Sequence, residues 1–470
     1  MFVFKTLRTF FYFVAFLVII QLKGINATQL ISTNDLYFDP FSEFKGTKVF
    51  KIIHFWTGFE DEKILRAWFW KRINELGDSE SVLLDPVLAD WATKLMKPRK
   101  KELDLIKETS KFTHRRDEFL KMGGEYVHNF KPKPETLNEM VLYFSRLYYG
   151  FMEKYSPEIT SWIWNKLTAK LFVRDVVGAK YPAHLYGAFE NLEDVFAPDF
   201  WNSLPRRFVV KGVSGCWGAW VRVVDKNDKA TVEALQSLAD TKSSRVTRAR
   251  YIVEEYLPSL IEGRTVTDYK FFCSFGKIIC VVVGNSPSNP GPVDPLQKFQ
   301  SIHTVPGWHH LNLTYYNLKS IPIEKPALLN EMMEVAQKLS KMFPLVRIDL
   351  YLTKNSKGQL MVKVGEITTR AAGGKAVMKP VYYDLLFGSL VRFLSPAQVT
   401  QLLDRDVIFI DKWTARLKRS PDPFHDIVVP GFHIDPQMVI WDSRTNAIVE
   451  KQKTLQALLR KSTLSEKGGN

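Results

Sequence analysis

Asp349 and Glu366 have the chemical type and spacing to share a divalent cation. They lie in the segment from Leu345 to Gly374, LVRIDLYLTKNSKGQLMVKVGEITTRAAGG. Val346, Ile348, Leu350 and Leu352 alternate with Arg347, Asp349 and Tyr351, a period of two that predicts a half-buried strand. Asn355 to Gly358 supply turn chemistry, and Leu360 to Ile367 run back as a second strand. With the turn centred on Ser356 and Lys357, Asp349 falls opposite Val364, and Glu366 lies one diagonal step away on the same face. Cβ atoms at that diagonal are roughly 7 Å apart, so two carboxylates there can hold one hard cation. A one-residue change of register would send them to opposite faces.

A second constellation is cationic. Phe208 to Lys211 form a predicted strand that runs into Gly-Val-Ser-Gly-Cys-Trp-Gly at 212–218. Glycines let backbone N–H groups approach phosphate oxygens, and the Lys211 ammonium adds a point charge. The loop lacks the Gly-Lys-Ser/Thr ending of a Walker A sequence. A plain turn into a strand at Trp220 to Val224 is the alternative. Two further patterns carry less chemistry. Asp404-Arg405-Asp406 has the Asp-x-Asp form that holds a sugar-nucleotide metal, but it has no glycine-rich neighbour and is expected to be a solvated helix end. Trp68, Trp70, Trp162 and Trp164 are spaced as core residues of helices rather than as a stacking platform for sugars.

The wider chain restricts the ligand class. Its 470 residues are 46% apolar with a formal charge of +15, which favours an anionic partner such as a nucleotide, an acidic glycan or a membrane surface. No nucleic-acid-reading motif accompanies the basic residues. The three cysteines, Cys216, Cys273 and Cys280, are too few for a disulfide framework. Lys5 and Arg8 precede an apolar run from Thr9 to Leu22, so residues 1–28 are expected to act as a signal peptide or a signal anchor. Either places the rest of the chain in the secretory lumen or outside the cell, and the glycosylation triplets at Asn26 and Asn312 fit that placement.

These residues need elements to position them. Residues 29–166 form a predicted helical N-terminal region, with helices at Asp61 to Leu76, Ser81 to Met96 and Glu135 to Tyr155. Strands and helices mix over 167–386. Helices are predicted at Leu167 to Val177, Ala230 to Ala239 and Glu324 to Met342, a strand at Arg250 to Leu257, and a hairpin from Asp268 to Gly284. A loop from Asn285 to Gly307 is long enough for a lid. A helix from Tyr382 to Leu394 leads into the extension 387–470, which is expected to be helical and mixed, with helices at Pro396 to Leu403 and Glu450 to Lys461 and a strand at Gln437 to Trp441. The class is α+β.

Taken in order, KLFVRDVVG from Lys170, Tyr186 to Glu190, LPRRFVVKGVSG from Leu204, IVEEYL from Ile252, DYKFFCSFGKI from Asp268, FPLVRIDLY from Phe343 and VGEIT from Val364 resemble the TupA-like branch of the ATP-grasp superfamily. The resemblance covers about Leu167 to Leu386. It implies a two-lobed ATP-grasp-type fold that holds ATP and Mg²⁺. Lys170, Lys211, Gly212, Ser214 and Gly215 would contact phosphates. The backbone of Glu254, Glu255, Tyr256 and Leu257 would read adenine, with Asp268 nearby. Asp349, Glu366 and Thr368 would hold the metal, and Arg347, Lys270 and Arg370 would steady developing charge.

The implied reaction is ligation of a carboxylate to an amine through an acyl phosphate, on an acidic glycan or peptide. Two positions depart from the family pattern. Val213-Ser214 replace an Asn-His pair in the phosphate loop, and Thr368 stands where many relatives place asparagine. A lumenal glycosyltransferase-like protein and a non-catalytic nucleotide- or glycan-binding relative are the alternatives.

Overall fold

The structure, a computed structural model, describes residues 62–96, 134–149, 163–214, 220–238, 247–260, 266–284, 299–315, 319–371 and 378–439. The expected signal or anchor segment, Asn26, Trp162, Gly215, Cys216, the part of the expected lid at 285–298 and the expected helix at Glu450 to Lys461 lie outside the described residues. No described helix is long and apolar enough to cross a membrane. The chain divides into two compact units, residues 1–77 with 85–99, and residues 78–84 with 100–470.

In the first unit lie α1 (Glu62–Leu76) and α3 (Pro86–Met96). The Asp85 carboxylate accepts from the Val87 and Leu88 amides and from Arg72 at 2.9 and 2.7 Å, which caps α3 and ties it to α1. Trp68 and Trp91 lie 6.3 Å apart between these helices. The single helix expected over Ser81 to Met96 is two. The break falls at Asp85 because Pro86 takes the first helical position of α3, and α2 (Ser79–Leu84) belongs to the second unit.

The second unit holds two main sheets. One is four-stranded and antiparallel, in the order β1 (Leu185–Phe189), β4 (Tyr251–Glu255), β2 (Arg207–Gly212), β3 (Val221–Asp225). Phe208, Val210, Val224, Tyr251 and Val253 project from one face into a core shared with Leu235 and Leu238, the first of which lies on α7 (Lys229–Gln236). The other sheet runs β10 (Lys319–Ser320), β7 (Phe299–His303), β6 (Lys277–Gly284), β5 (Asp268–Ser274), β11 (Val346–Lys354), β12 (Leu360–Thr368), with β8 (His310–Leu311) beside β7. Helix α8 (Leu329–Ser340) packs on β5, β6 and β11. With the N-terminal helices, this is the α+β, two-lobed arrangement that the resemblance implies.

Several boundaries moved for local reasons. The expected lid is interrupted by β7, so strand structure resumes at Phe299. Helix α8 begins at Leu329 rather than Glu324 because Pro326 disfavours a helical conformation at Lys325. The helix expected to stop at Leu403 continues as α10 (Pro396–Arg419), started by a Ser395–Gln398 capping box. Where a strand was expected at Gln437, residues Pro436–Met438 form a 3₁₀ turn capped by Asp435.

The central hairpin has a different register from the one expected. Beyond the turn, Leu350 pairs with Val364 and Tyr351 with Lys363, a shift of one residue. A regular ladder in that register would put Asp349 and Glu366 on opposite faces. A bulge between Asp349 and Leu350 corrects this, and Asp349 lies directly opposite Glu366. The extra residue is Gly365. A Cβ there would stand 2.5 Å from the Tyr351 ring, so the bulge and the ring over it together demand glycine.

Candidate active site

Helix α5 (Lys166–Val177) is started by the Asn165 side chain, which accepts from the Leu167 and Thr168 amides, and it ends at Gly178 with φ of 114°. That placement brings Lys170 against β4 of the first sheet. Lys170 Nζ lies 2.9 Å from Glu254 Oε2 and donates to the Ala183 carbonyl at 2.8 Å. Lys211, on β2, reaches the other Glu254 oxygen in a close ion pair. Glu254 is 2% exposed. Burial alone would raise its pKa, but the Lys170 and Lys211 ammoniums outweigh it and hold the carboxyl down to about 2. Burial also lowers the Lys170 pKa, with Glu254 opposing.

Beyond the carboxylate, β4 leads into the segment expected to read adenine. Glu255 accepts from the His184 amide at 2.9 Å and pairs with Lys363 of β12 at 2.8 Å. Tyr256 lies under the Arg207 guanidinium, and Leu257 is buried. Thr353 on β11 donates to the Pro258 carbonyl at 2.7 Å, and the Val364 amide to Tyr181 at 2.8 Å, so both sheets are tied at this point.

The second sheet contributes a row of three charged residues on neighbouring strands. Lys270 pairs with Asp349, and Asp349 with Glu366. Asp349 is buried and Glu366 exposed. Arg347 grips Asp349 with two hydrogen bonds of 2.6 Å and also reaches the Thr368 hydroxyl at 3.2 Å. Lys270 makes a close contact with Asp268 and lies 3.9 Å from Asp349. Burial lowers the Lys270 pKa to about 8 against the pull of Asp349. Asp268 Oδ1 is buried with no hydrogen-bond partner among the described residues.

One pocket joins the two clusters. Its lining includes Trp164, Lys170, Lys211, Glu254, Gly365 and Glu366, and it encloses about 30 Å³, room for a water molecule or two. Trp164 closes one side, donating from Nε1 to the Thr369 hydroxyl at 2.5 Å beneath the Arg370 guanidinium, 4.8 Å from the ring. Thus Lys170, Lys211, Glu254 and Glu366 converge on the pocket. Arg347, Lys270, Asp349 and Thr368 form the adjoining row on the second sheet, and Arg370 is reached through Trp164. Gly212 ends β2, and Ser214 is exposed beyond it.

Three participants had escaped the sequence reading. Lys363 lies at a buried position, Trp164 sits where a core tryptophan was expected, and Gly365 forms the bulge. Only the last left a signal, since a glycine inside a strand pattern marks a bulge or a close approach. Among the described residues no group of three or more His, Cys, Asp or Glu is arranged to hold a metal. Asp349 and Glu366, with the Thr368 hydroxyl, are nonetheless hard oxygen donors of the kind Mg²⁺ takes beside phosphate oxygens.

One expectation is corrected. Asp404-Arg405-Asp406 is not a solvated helix end but lies well inside α10. Asp406 is 1% exposed, held by a close hydrogen bond from the Tyr148 hydroxyl and by Arg405 at 2.8 and 2.7 Å. Burial raises its pKa, so that carboxylate is a structural group, not a metal ligand facing a nucleotide. Cys273 and Cys280 are buried free thiols.

Residues 152–392 match the family model described as TupA-like ATPgrasp. No curated protein sequence matches the chain. Solved structures similar to it include N5-carboxyaminoimidazole synthetase from Staphylococcus aureus complexed with ADP, with 13% identity, a TM-score of 0.25, and coverage of 44% of this chain and 45% of that one. Another is N5-carboxyaminoimidazole synthase from Aspergillus clavatus, with 12% identity, a TM-score of 0.29, and 47% and 49% coverage. A third is L-amino acid ligase from Bacillus licheniformis, with 13% identity, a TM-score of 0.30, and 51% and 48% coverage. The chain spans about half the length of these proteins. The matched span is half of the sequence and contains both sheets and every residue of the pocket, and on that ground the chain belongs to the TupA-like ATP-grasp family.

Proposed function

We propose that this protein is an ATP- and Mg²⁺-dependent ligase that joins a carboxylate to an amine. The observation that carries the reading is the single pocket where Lys170 and Lys211, held by Glu254, meet Glu366 of the second sheet. Two ammoniums on one wall suit the phosphates of a nucleotide. Asp349 and Glu366, opposite one another on β11 and β12, are hard oxygen donors that would hold Mg²⁺. The metal, when bound, would neutralise charge on the transferred phosphoryl group.

The remaining roles fall to this chain's own side chains. The segment from Glu254 to Leu257 would meet the adenine edge, and buried Asp268, in close contact with Lys270, would steady that ammonium. Lys270 and Arg347 direct positive charge to the place where the phosphoryl group would sit, with Arg370 at the Trp164 side. An acceptor carboxylate oxygen would bond to the γ-phosphorus as the bond to ADP breaks. An amine would then displace phosphate from the acyl phosphate, giving an amide. The charge of +15 suits an acidic glycan or acidic peptide as acceptor. A cleaved or anchoring segment at 1–28 would place the reaction in the secretory lumen.

Thermal unfolding with and without Mg-ATP tests this reading. Ligand at about 100 times its dissociation constant adds about 2.7 kcal/mol. The wild type is expected to show that shift, and Lys211→Ala and Asp349→Ala to lose it. No shift with ATP in the wild type would sink the ligase reading. A shift without ADP release on any acidic acceptor would instead mark a non-catalytic nucleotide-binding relative.

A further inference from the structure

Helix α5 has two working faces. One carries Lys170 to the pocket described above. The other carries Phe172 and Val176 into a separate groove of about 330 Å³, whose opposite wall is Phe409, Lys412, Trp413 and Arg416 of α10. That volume is at the lower end of the range that holds small ligands. The floor is apolar and fixed: Phe172 and Trp413 are both buried and meet edge to face, with centroids 6.1 Å apart. Phe409, 41% exposed, adds an apolar side chain at the mouth.

The charges at the groove do not cancel. Asp175, its one acid, is already engaged: Oδ1 accepts from Arg174 at 2.7 Å, and Oδ2 from Trp413 Nε1 at 2.6 Å and Arg416 at 2.5 Å. Arg174 is shared with Asp426 at 3.1 Å, so Asp175 is offset by Arg416, and Lys412, one helical turn before Arg416, supplies the net positive charge of the edge. Lys412 makes no ion pair among the described residues and is exposed. An apolar slot with a cationic rim recognises one chemistry, an anionic head on an apolar body.

We propose that the groove between α5 and α10 binds a small amphipathic anion, with its head at Lys412 and Arg416 and its chain or ring against Phe172, Val176, Phe409 and Trp413. The site is distinct from the nucleotide pocket, and its test does not depend on ligase activity.

Calorimetric titration of the full chain with decanoate below its micelle concentration is the experiment, with decyltrimethylammonium as the oppositely charged control. Decanoate is expected to bind saturably at one per chain, and the cation not to bind. Phe409→Asp and Lys412→Glu, at two exposed positions, are each expected to weaken decanoate at least about tenfold, with the melting temperature unchanged. No saturable decanoate binding, equal binding of both amphiphiles, or binding unaltered by the two substitutions would overturn the proposal. So would capture of the chain by phosphatidylserine vesicles without binding of monomeric decanoate, which would make this face a bilayer contact instead. A groove covered by another segment of the chain would give the first of these outcomes.

Discussion

At the scale of single residues, the site is a set of buried charges whose values depend on their partners. Glu254 is the clearest case. Its two lysines are largely buried, at 10% and 14% side-chain exposure, so removing the carboxylate leaves two ammoniums together without a counter-charge. Glu254→Gln is expected to cost about 3–5 kcal/mol in urea unfolding. A cost below 1 kcal/mol would mean that the two lysines are solvated and the cluster is loose. Lys270 makes the pH prediction. Its folded pKa of about 8 lies below its unfolded value of about 10.4. Between those values the unfolded chain holds the extra proton, so this group's contribution to stability rises with pH across that window. A reaction that needs the ammonium should do the opposite, and its rate is expected to fall above about pH 8. Lys270→Arg keeps the charge and should move that limb to higher pH. A limb unmoved in Lys270→Arg would assign it to another group.

At the scale of elements, the bulge on β12 decides whether two carboxylates face the same way. Gly365→Ala puts a Cβ within 2.5 Å of the Tyr351 ring, which must swing out or let the bulge regularise. The expected cost is about 1–3 kcal/mol, with loss of the Mg²⁺-dependent part of any ATP-induced thermal shift. A variant that keeps the full shift would show that the carboxylate pair does not need this register.

Elsewhere, α9 (Tyr382–Ser389) meets the start of α4 (Leu137–Phe144). Asp384 accepts from the Asn138 amide at 3.1 Å and its side-chain nitrogen at 3.0 Å. Burial raises the Asp384 pKa to about 7, above its unfolded value of about 4. The folded chain therefore holds that proton more tightly. This contribution to stability is greatest below about pH 4 and is lost as pH rises to about 7, by an amount on the order of a few kcal/mol. Asp384→Asn should flatten that part of the stability profile. An unchanged slope in urea titrations across the window would assign it to other groups.

At the scale of the whole second unit, function depends on two sheets that are tied together. Lys363 to Glu255, Thr353 to Pro258 and Val364 to Tyr181 fasten them on one side, while Trp164 closes the pocket through Thr369 and Arg370. The pocket encloses about 30 Å³, less than a nucleotide needs, so the proposed function predicts an opening step at the Trp164 side before binding. Stopped-flow mixing with a fluorescent ATP analogue is expected to show a phase whose rate levels off with nucleotide concentration. Trp164→Ala should abolish that phase. A single phase rising linearly with concentration in the wild type would mean that no opening step precedes binding.

The local sequence determined much of this protein because its signals are local. Alternation along Val346 to Leu352 marked the strand, Phe275-Gly276 the turn of the hairpin from Asp268 to Gly284, and Gly178 the end of α5. Lys211, Asp349 and Glu366 were legible as charged residues at the ends and faces of those elements, and Lys170 through the family resemblance. Tertiary structure decided what depends on contacts between distant segments. It put Glu254 between Lys170 and Lys211, paired Lys363 with Glu255, and buried Asp406 under Tyr148, because the energy of a buried charge depends on neighbours remote in sequence. The hairpin shows the division most clearly. Its existence follows from side-chain alternation, whereas its register depends on a glycine bulge stabilised by a ring on the facing strand.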